Sequence, residues 1–90
     1  MHCYIVIYDL CKPGQNYARL YATLRNYEKW GRLTESAWAI VSSKSFEQIR
    51  NELKICLDET DRLIVIRSGQ QAAWTNVMAS SEWVKENLIL

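Results

Sequence analysis

The sequence predicts one α+β domain whose elements follow the order β-α-β-β-α-β, with a helical extension at its C-terminal end. Apolar side chains alternate along 3–10 and 32–43, helical stripes occupy 16–29 and 45–57, and a short apolar run fills 63–66. These segments are separated by turn-forming residues. A chain of 90 residues has room for a single domain, which we expect to span 1–90.

The first strand is predicted from about Cys3 to Leu10, because its side chains alternate between two faces. The odd positions from Cys3 to Ile7 form one face, and the even positions form the other: Tyr4, Val6 and Tyr8. Both faces are apolar or aromatic, which is typical of a central strand covered on two sides. Pro13-Gly14 is expected to break the chain after it.

Two amphipathic helices follow the helical period of apolar residues. The first is expected from Gln15 or Asn16 to Lys29, with Trp30-Gly31 at its end. Its buried stripe consists of Tyr17, Leu20, Tyr21, Leu24 and Tyr27. The second helix has a clear start, since Ser45 with Gln48 three residues later forms a capping box.

The remaining segments are predicted from shorter patterns. The region 32–43 is interpreted as two strands that meet near Thr34-Glu35, because the apolar alternation starts afresh after Glu35. The run 63–66 is uncharged and mostly β-branched, which favours another central strand. Near the end, Ser80 or Ser81 could cap a final helix that contains Trp83, Val84 and Leu88.

This order of elements is that of the ferredoxin-like fold, with a core over 1–67 and an extension over 68–90. Two helices can cover only one face of a four-stranded sheet. We expect Tyr4, Val6 and Tyr8 to lie on the other face. The terminal helix could cover this face in part, but a second copy of the sheet is the more economical cover. The sequence therefore predicts a homodimer with these three residues at its interface.

Composition restricts the choice of function. Eleven basic and ten acidic residues leave a net charge of +1, so any site for a polyanion must be a local patch. The longest apolar runs are too short to cross a bilayer, which predicts no membrane association. The three cysteines occur in unrelated contexts and are expected to be reduced, as in a cytoplasmic protein.

Three short motifs resemble one known group of proteins. Tyr8-Asp9-Leu10 at the end of the first strand, Arg32, and the segment Glu35-Ser36-Ala37-Trp38 are similar to sequences of the CRISPR-associated small endonucleases. The resemblance covers about 1–67 and extends to VapD-type messenger-RNA interferases, with the SinR-like branch most similar. It implies a ferredoxin-like homodimer and a magnesium- or manganese-dependent endonuclease that cleaves RNA or DNA.

The resemblance implies that Asp9 is both the metal ligand and the catalytic residue, shared across the dimer axis. The alternative for Asp9 is a turn cap that accepts amide hydrogen bonds near Cys11 or Lys12. For nucleic-acid binding the candidates are Arg19, Arg32, Ser36, Trp38 and Arg67. The arginines could equally be surface charges or partners of Glu35 and Asp61, and Trp38 could belong to the core instead of stacking on a base.

Two classes of function stay open at this stage. The dimer could be an endonuclease, or a non-catalytic scaffold that holds nucleic acid or a protein partner; a toxin–antitoxin component is a further alternative. His2, Cys3 and Cys11 lack the paired spacing of a zinc site. The three glycines are scattered, which excludes a phosphate-binding glycine loop, and a single histidine excludes a Ser-His-Asp triad.

Overall fold

A computed structural model of the chain describes residues 1–12 and 17–88. Its elements are β1 (His2–Asp9), α1 (Ala18–Arg25), β2 (Lys29–Thr34), β3 (Ala37–Ser42), α2 (Phe46–Lys54), β4 (Arg62–Arg67) and α3 (Ser81–Asn87). This confirms the α+β fold and the order β-α-β-β-α-β with a helical extension. The predicted break at Pro13-Gly14 and the predicted helix start at Gln15 or Asn16 lie outside the described residues.

The four strands form one antiparallel sheet in the order β2-β3-β1-β4. The boundary between β2 and β3 falls at Thr34, as the restart of the alternation predicts. The central position of β1 is confirmed, because it pairs with β3 on one side and β4 on the other. The prediction that 63–66 is central is wrong, because β4 is an edge strand of the described sheet.

Helices α1 and α2 cover one face of the sheet and enclose the main core. The capping box of α2 is present: Ser45 Oγ accepts from the Gln48 amide, and Gln48 Oε1 accepts from the Ser45 amide. Leu20, Leu24, Ile49 and Leu53 are completely buried against the sheet. The helices therefore lie where their apolar periodicity predicts.

Tyr4, Val6 and Tyr8 lie on this helix-covered face, with only 3%, 0% and 4% of their surface exposed. The prediction that they form a dimer interface is therefore wrong, although the alternation that groups them is correct. The side chains of Tyr4 and Tyr8 fill space between the sheet and the helices. The Tyr4 hydroxyl donates to the backbone carbonyl of Lys44 at 2.9 Å, and the Tyr8 hydroxyl donates to that of Glu35 at 2.8 Å.

The opposite face of the sheet, called the open face below, is partly covered by residues 68–88, the C-terminal segment. Val84 and Leu88 pack on Cys3, Ala39 and Val41 in a second, smaller core. The predicted cap of α3 is confirmed, since Ser80 Oγ accepts from the amide of Trp83. Within the described residues, no helix is long and apolar enough to span a membrane.

Helix α1 ends four residues earlier than predicted, at Arg25 instead of Lys29. The following residues Lys29–Thr34 are needed as strand β2, which pairs along β3. Trp30 and Arg32 lie opposite Ile40 and Trp38, so both side chains are on the helix-covered face. The apolar residues of α1 are thus followed directly by those of β2. The sequence therefore gives no sign of where the helix ends and the strand begins.

Candidate functional site

Three of the predicted catalytic and nucleic-acid-binding residues meet in a cavity of about 320 Å³, called the Arg32 cavity, at the end of β1. Its lining includes Asp9, Arg32 and Ser36, together with Tyr8, Leu10, Tyr21 and Glu35. They come together because β1 ends beside the tight turn between β2 and β3, as the Tyr8 amide donating to the Ser36 carbonyl at 3.0 Å shows. The topology of the fold thus builds this site.

Arg32 is the central cation of the cavity and is held on aromatic rings. Its guanidinium carbon lies 5.1 Å from the centre of the Tyr21 ring and 5.3 Å from that of Trp38, within cation–π range. Nη2 donates to the backbone carbonyl of Glu35 at 2.8 Å. The pairing of Arg32 with the Glu35 carboxylate that the sequence allowed is therefore replaced by a backbone contact.

The charge of Arg32 is not neutralised by the described part of the chain. Ion pairs there involve Lys12, Lys44 and Arg62, and none includes Arg32. Its buried Nε also makes no hydrogen bond to any described residue. A guanidinium whose charge has no acidic partner is suited to binding an anionic group such as phosphate.

Asp9 lies at the end of β1 on the open face, opposite Arg62 of β4. Its Oδ2 accepts from Nη1 of Arg62 at 2.6 Å, and this hydrogen bond raises the pKa of Arg62. Both side chains are largely exposed, so solvent screens the pair and it contributes little to stability. The alternative turn-capping role is filled instead by Asp61, which accepts from the Cys11 amide at 2.8 Å.

Tyr8 connects the cavity to the core. Its hydroxyl accepts from Trp38 Nε1 at 2.9 Å and donates to the Glu35 carbonyl at 2.8 Å. Burial raises the pKa of Tyr8, and the neighbouring Trp38 hydrogen bond and Arg32 charge offset only part of that rise. The phenol therefore stays protonated and serves as a fixed donor that shapes the turn at Glu35.

The structure separates the other candidates from this cavity. Arg67 lies opposite Tyr4 in the register of β1 and β4. It is five residues along β4 from Arg62, and so lies about 17 Å from the Asp9 end of the sheet. Arg19 is exposed on α1 and does not line the cavity. Trp38 is only 1% exposed, so the prediction that it stacks on a base is wrong and its alternative as a core residue is confirmed.

Three residues that sequence reasoning missed border the same region: Tyr21, Arg25 and Trp30. Trp30 is 40% exposed at the edge strand β2, and its ring centre is 5.4 Å from that of the buried Trp38. Arg25 lies over Trp38 at 6.0 Å. The two-residue spacing of Trp30 and Arg32 is that of a strand. It was missed because the helical periodicity of the preceding residues was extended through Lys29.

A second feature of the Asp9 end is apolar. Ile5 lies opposite Ile66, and Ile7 opposite Ile64, on the half of the open face that lies toward β4. These four residues are called the isoleucine patch; Ile7, Ile64 and Ile66 are 41%, 52% and 46% exposed. Asp9 and Arg62 follow directly after the Ile7–Ile64 pair on the same face.

Comparison of this chain with protein-family models, curated proteins and solved structures finds no match in any of the three. A function for the chain must therefore be argued from the Arg32 cavity, the Asp9–Arg62 pair and the isoleucine patch.

Proposed function

We propose that this chain is a cytoplasmic, nucleic-acid-associated homodimer whose subunits meet through the isoleucine patch. The observation that carries the proposal is the position of Asp9 and Arg62 at the end of this exposed apolar surface. Contiguous exposed apolar side chains on a small domain are typical of an interaction surface. A second copy is the occupant we favour, because an isologous contact would cover both patches at once.

A two-fold axis near the Ile7–Ile64 pair would bring the two Asp9 residues toward each other. Asp9 lies one same-face step beyond Ile7, or about 7 Å along the strand. Both carboxylates would then lie near the axis, with the two Arg62 guanidiniums beside them. This dimer differs from the one predicted by sequence, since it uses the odd positions of β1 and leaves Tyr4, Val6 and Tyr8 in the core.

One chain alone does not fit a metal ion. The described residues contain no group of three His, Cys, Asp or Glu side chains that could coordinate one, and Asp9 is paired with Arg62. Magnesium or manganese would need both Asp9 carboxylates of the dimer together with oxygen atoms of the substrate. Bound in this way, the cation would polarise a phosphodiester and lower the pKa of a coordinated water.

Dimerisation is tested by placing a charge in the patch. We expect wild-type protein to sediment as a dimer and Ile64→Glu as a monomer, because two buried carboxylates would face each other across the axis. Ile55→Glu is the matched control, since Ile55 is 66% exposed on the C-terminal side of α2 and outside the patch. Analytical ultracentrifugation measures all three, and a monomeric wild type would contradict the proposed dimer.

Catalysis is tested separately with Asp9→Asn. If the dimer is an endonuclease, cleavage of RNA or DNA should require magnesium or manganese, stop with chelator, and fall at least about 100-fold in Asp9→Asn. The same fall should appear in Ile64→Glu, whose Asp9 is intact but lacks the second Asp9 that the dimer would supply. Equal cleavage by wild type and Asp9→Asn would exclude Asp9 as the catalytic residue.

A non-catalytic dimeric scaffold is the second candidate, and the close Asp9–Arg62 contact favours it. In a scaffold this ion pair keeps the carboxylate neutralised, and Arg62 and Arg32 would hold phosphates without turnover. Nucleic-acid binding by a dimer that shows no metal-dependent cleavage would favour this function over the endonuclease.

A further inference from the structure

We propose that the surface around Trp30 is a stacking site for an unpaired nucleic-acid strand, with Arg25 and Arg32 as its phosphate contacts. The inference rests on the nucleic-acid function proposed above and names its substrate class. It does not require the dimer, because every residue of the site belongs to one chain.

Trp30 has the properties of a stacking platform. The indole is supported from below by Trp38, at 5.4 Å between ring centres, yet keeps 40% of its surface exposed. Trp38 is in turn held at 6.2 Å against Tyr21, with the two rings nearly parallel. A base that stacks on Trp30 would thus extend an aromatic cluster already fixed by the core, so little side-chain entropy is lost on binding.

Two cations of this surface have no acidic partner among the described residues, as is true of most basic side chains in the chain. Arg25 and Arg32 both lie over the Trp38 ring, at 6.0 and 5.3 Å, and neither forms an ion pair with a described residue. With a net charge of only +1, the chain has no general attraction for polyanions, so such a pair is a local feature. Arginines interleaved with aromatic rings are typical of proteins that bind single strands.

The shape of the surface favours an unpaired strand over a duplex. Arg32 lines two cavities: the Arg32 cavity, and a second of about 330 Å³ whose lining includes Trp30, Met78 and Trp83. A flexible strand can place one base on Trp30 while its backbone passes Arg32 from one cavity to the other. In a duplex the base faces are already stacked on one another and cannot reach the indole.

The experiment measures binding of a labelled ten-nucleotide single strand, as RNA and as DNA, by fluorescence anisotropy at low salt. The matching duplexes serve as competitors. We expect Trp30→Leu to weaken single-strand binding about 5- to 150-fold, the equivalent of losing one stacked base. Trp30→Phe should retain most of the affinity, because it keeps an aromatic face.

Replacing Arg25 with Gln should weaken binding and reduce the dependence of affinity on salt by about one phosphate contact. Arg50→Gln on α2, outside this surface, is the matched control and should bind like wild type. In the Ile64→Glu background, Trp30→Leu should weaken binding by the same factor as in wild type, so failure of the dimer and failure of this site are distinguishable. Unchanged binding by Trp30→Leu, preference for the duplex, or no binding to any oligonucleotide would overturn the proposal.

Discussion

Replacement of Trp38 by alanine is expected to lower the free energy of unfolding by about 3–5 kcal/mol, the cost of removing a large aromatic side chain from a packed core. Trp38 is 1% exposed and packs between Tyr21 and Trp30. Its loss would leave a cavity and remove the indole hydrogen bond to the Tyr8 hydroxyl. Urea denaturation followed by circular dichroism measures the change, with the denaturant slope expected to stay constant.

The control for this variant is Phe46→Ala, which also truncates a large aromatic side chain. Phe46 is 53% exposed at the start of α2, so its removal should cost less than about 1 kcal/mol. If the two variants lost similar stability, Trp38 would not be the centre of the core. Trp38→Phe should fall between them, because it retains a ring in the cavity but not the hydrogen bond to Tyr8.

Most of the fold follows from local patterns, while the layer arrangement does not. Alternation correctly groups the residues of β1, and the capping residues Ser45 and Ser80 mark the starts of two helices. Alternation cannot decide which face of β1 the helices cover, because both faces are apolar. That choice depends on how the crossover connections turn, and so Tyr4, Val6 and Tyr8 were assigned to the wrong layer.

The part of the candidate site that depends only on the order of the strands could be predicted from the sequence. Asp9, Arg32 and Ser36 meet because the end of β1 adjoins the turn between β2 and β3. Trp38 was misassigned, because a strand position next to functional candidates does not reveal the burial of its side chain. Trp30 was missed for the opposite reason, since the helical stripe before it concealed a strand residue that remains exposed.

Gly31 lies directly against the Trp83 indole of the C-terminal segment, and a single methyl group there should disturb this contact. A Cβ at Gly31 would lie 2.9 Å from the Cε3 and Cζ3 atoms of the Trp83 ring. We expect Gly31→Ala to lower the free energy of unfolding by about 1–3 kcal/mol, because overpacking outweighs the smaller gain from replacing glycine in a strand. Urea denaturation measures the loss, and hydrogen exchange should show it first in α3.

The matched control is Gly69→Ala, where an added Cβ meets no atom within 4 Å. A double-mutant cycle with Trp83→Ala locates the cause: once the indole is removed, Gly31→Ala should become neutral or stabilising. An equal cost with and without Trp83 would show that the glycine is needed by the strand itself. Because Gly31 separates Trp30 from Arg32, the cycle also measures how firmly the C-terminal segment holds the edge strand that carries the proposed stacking site.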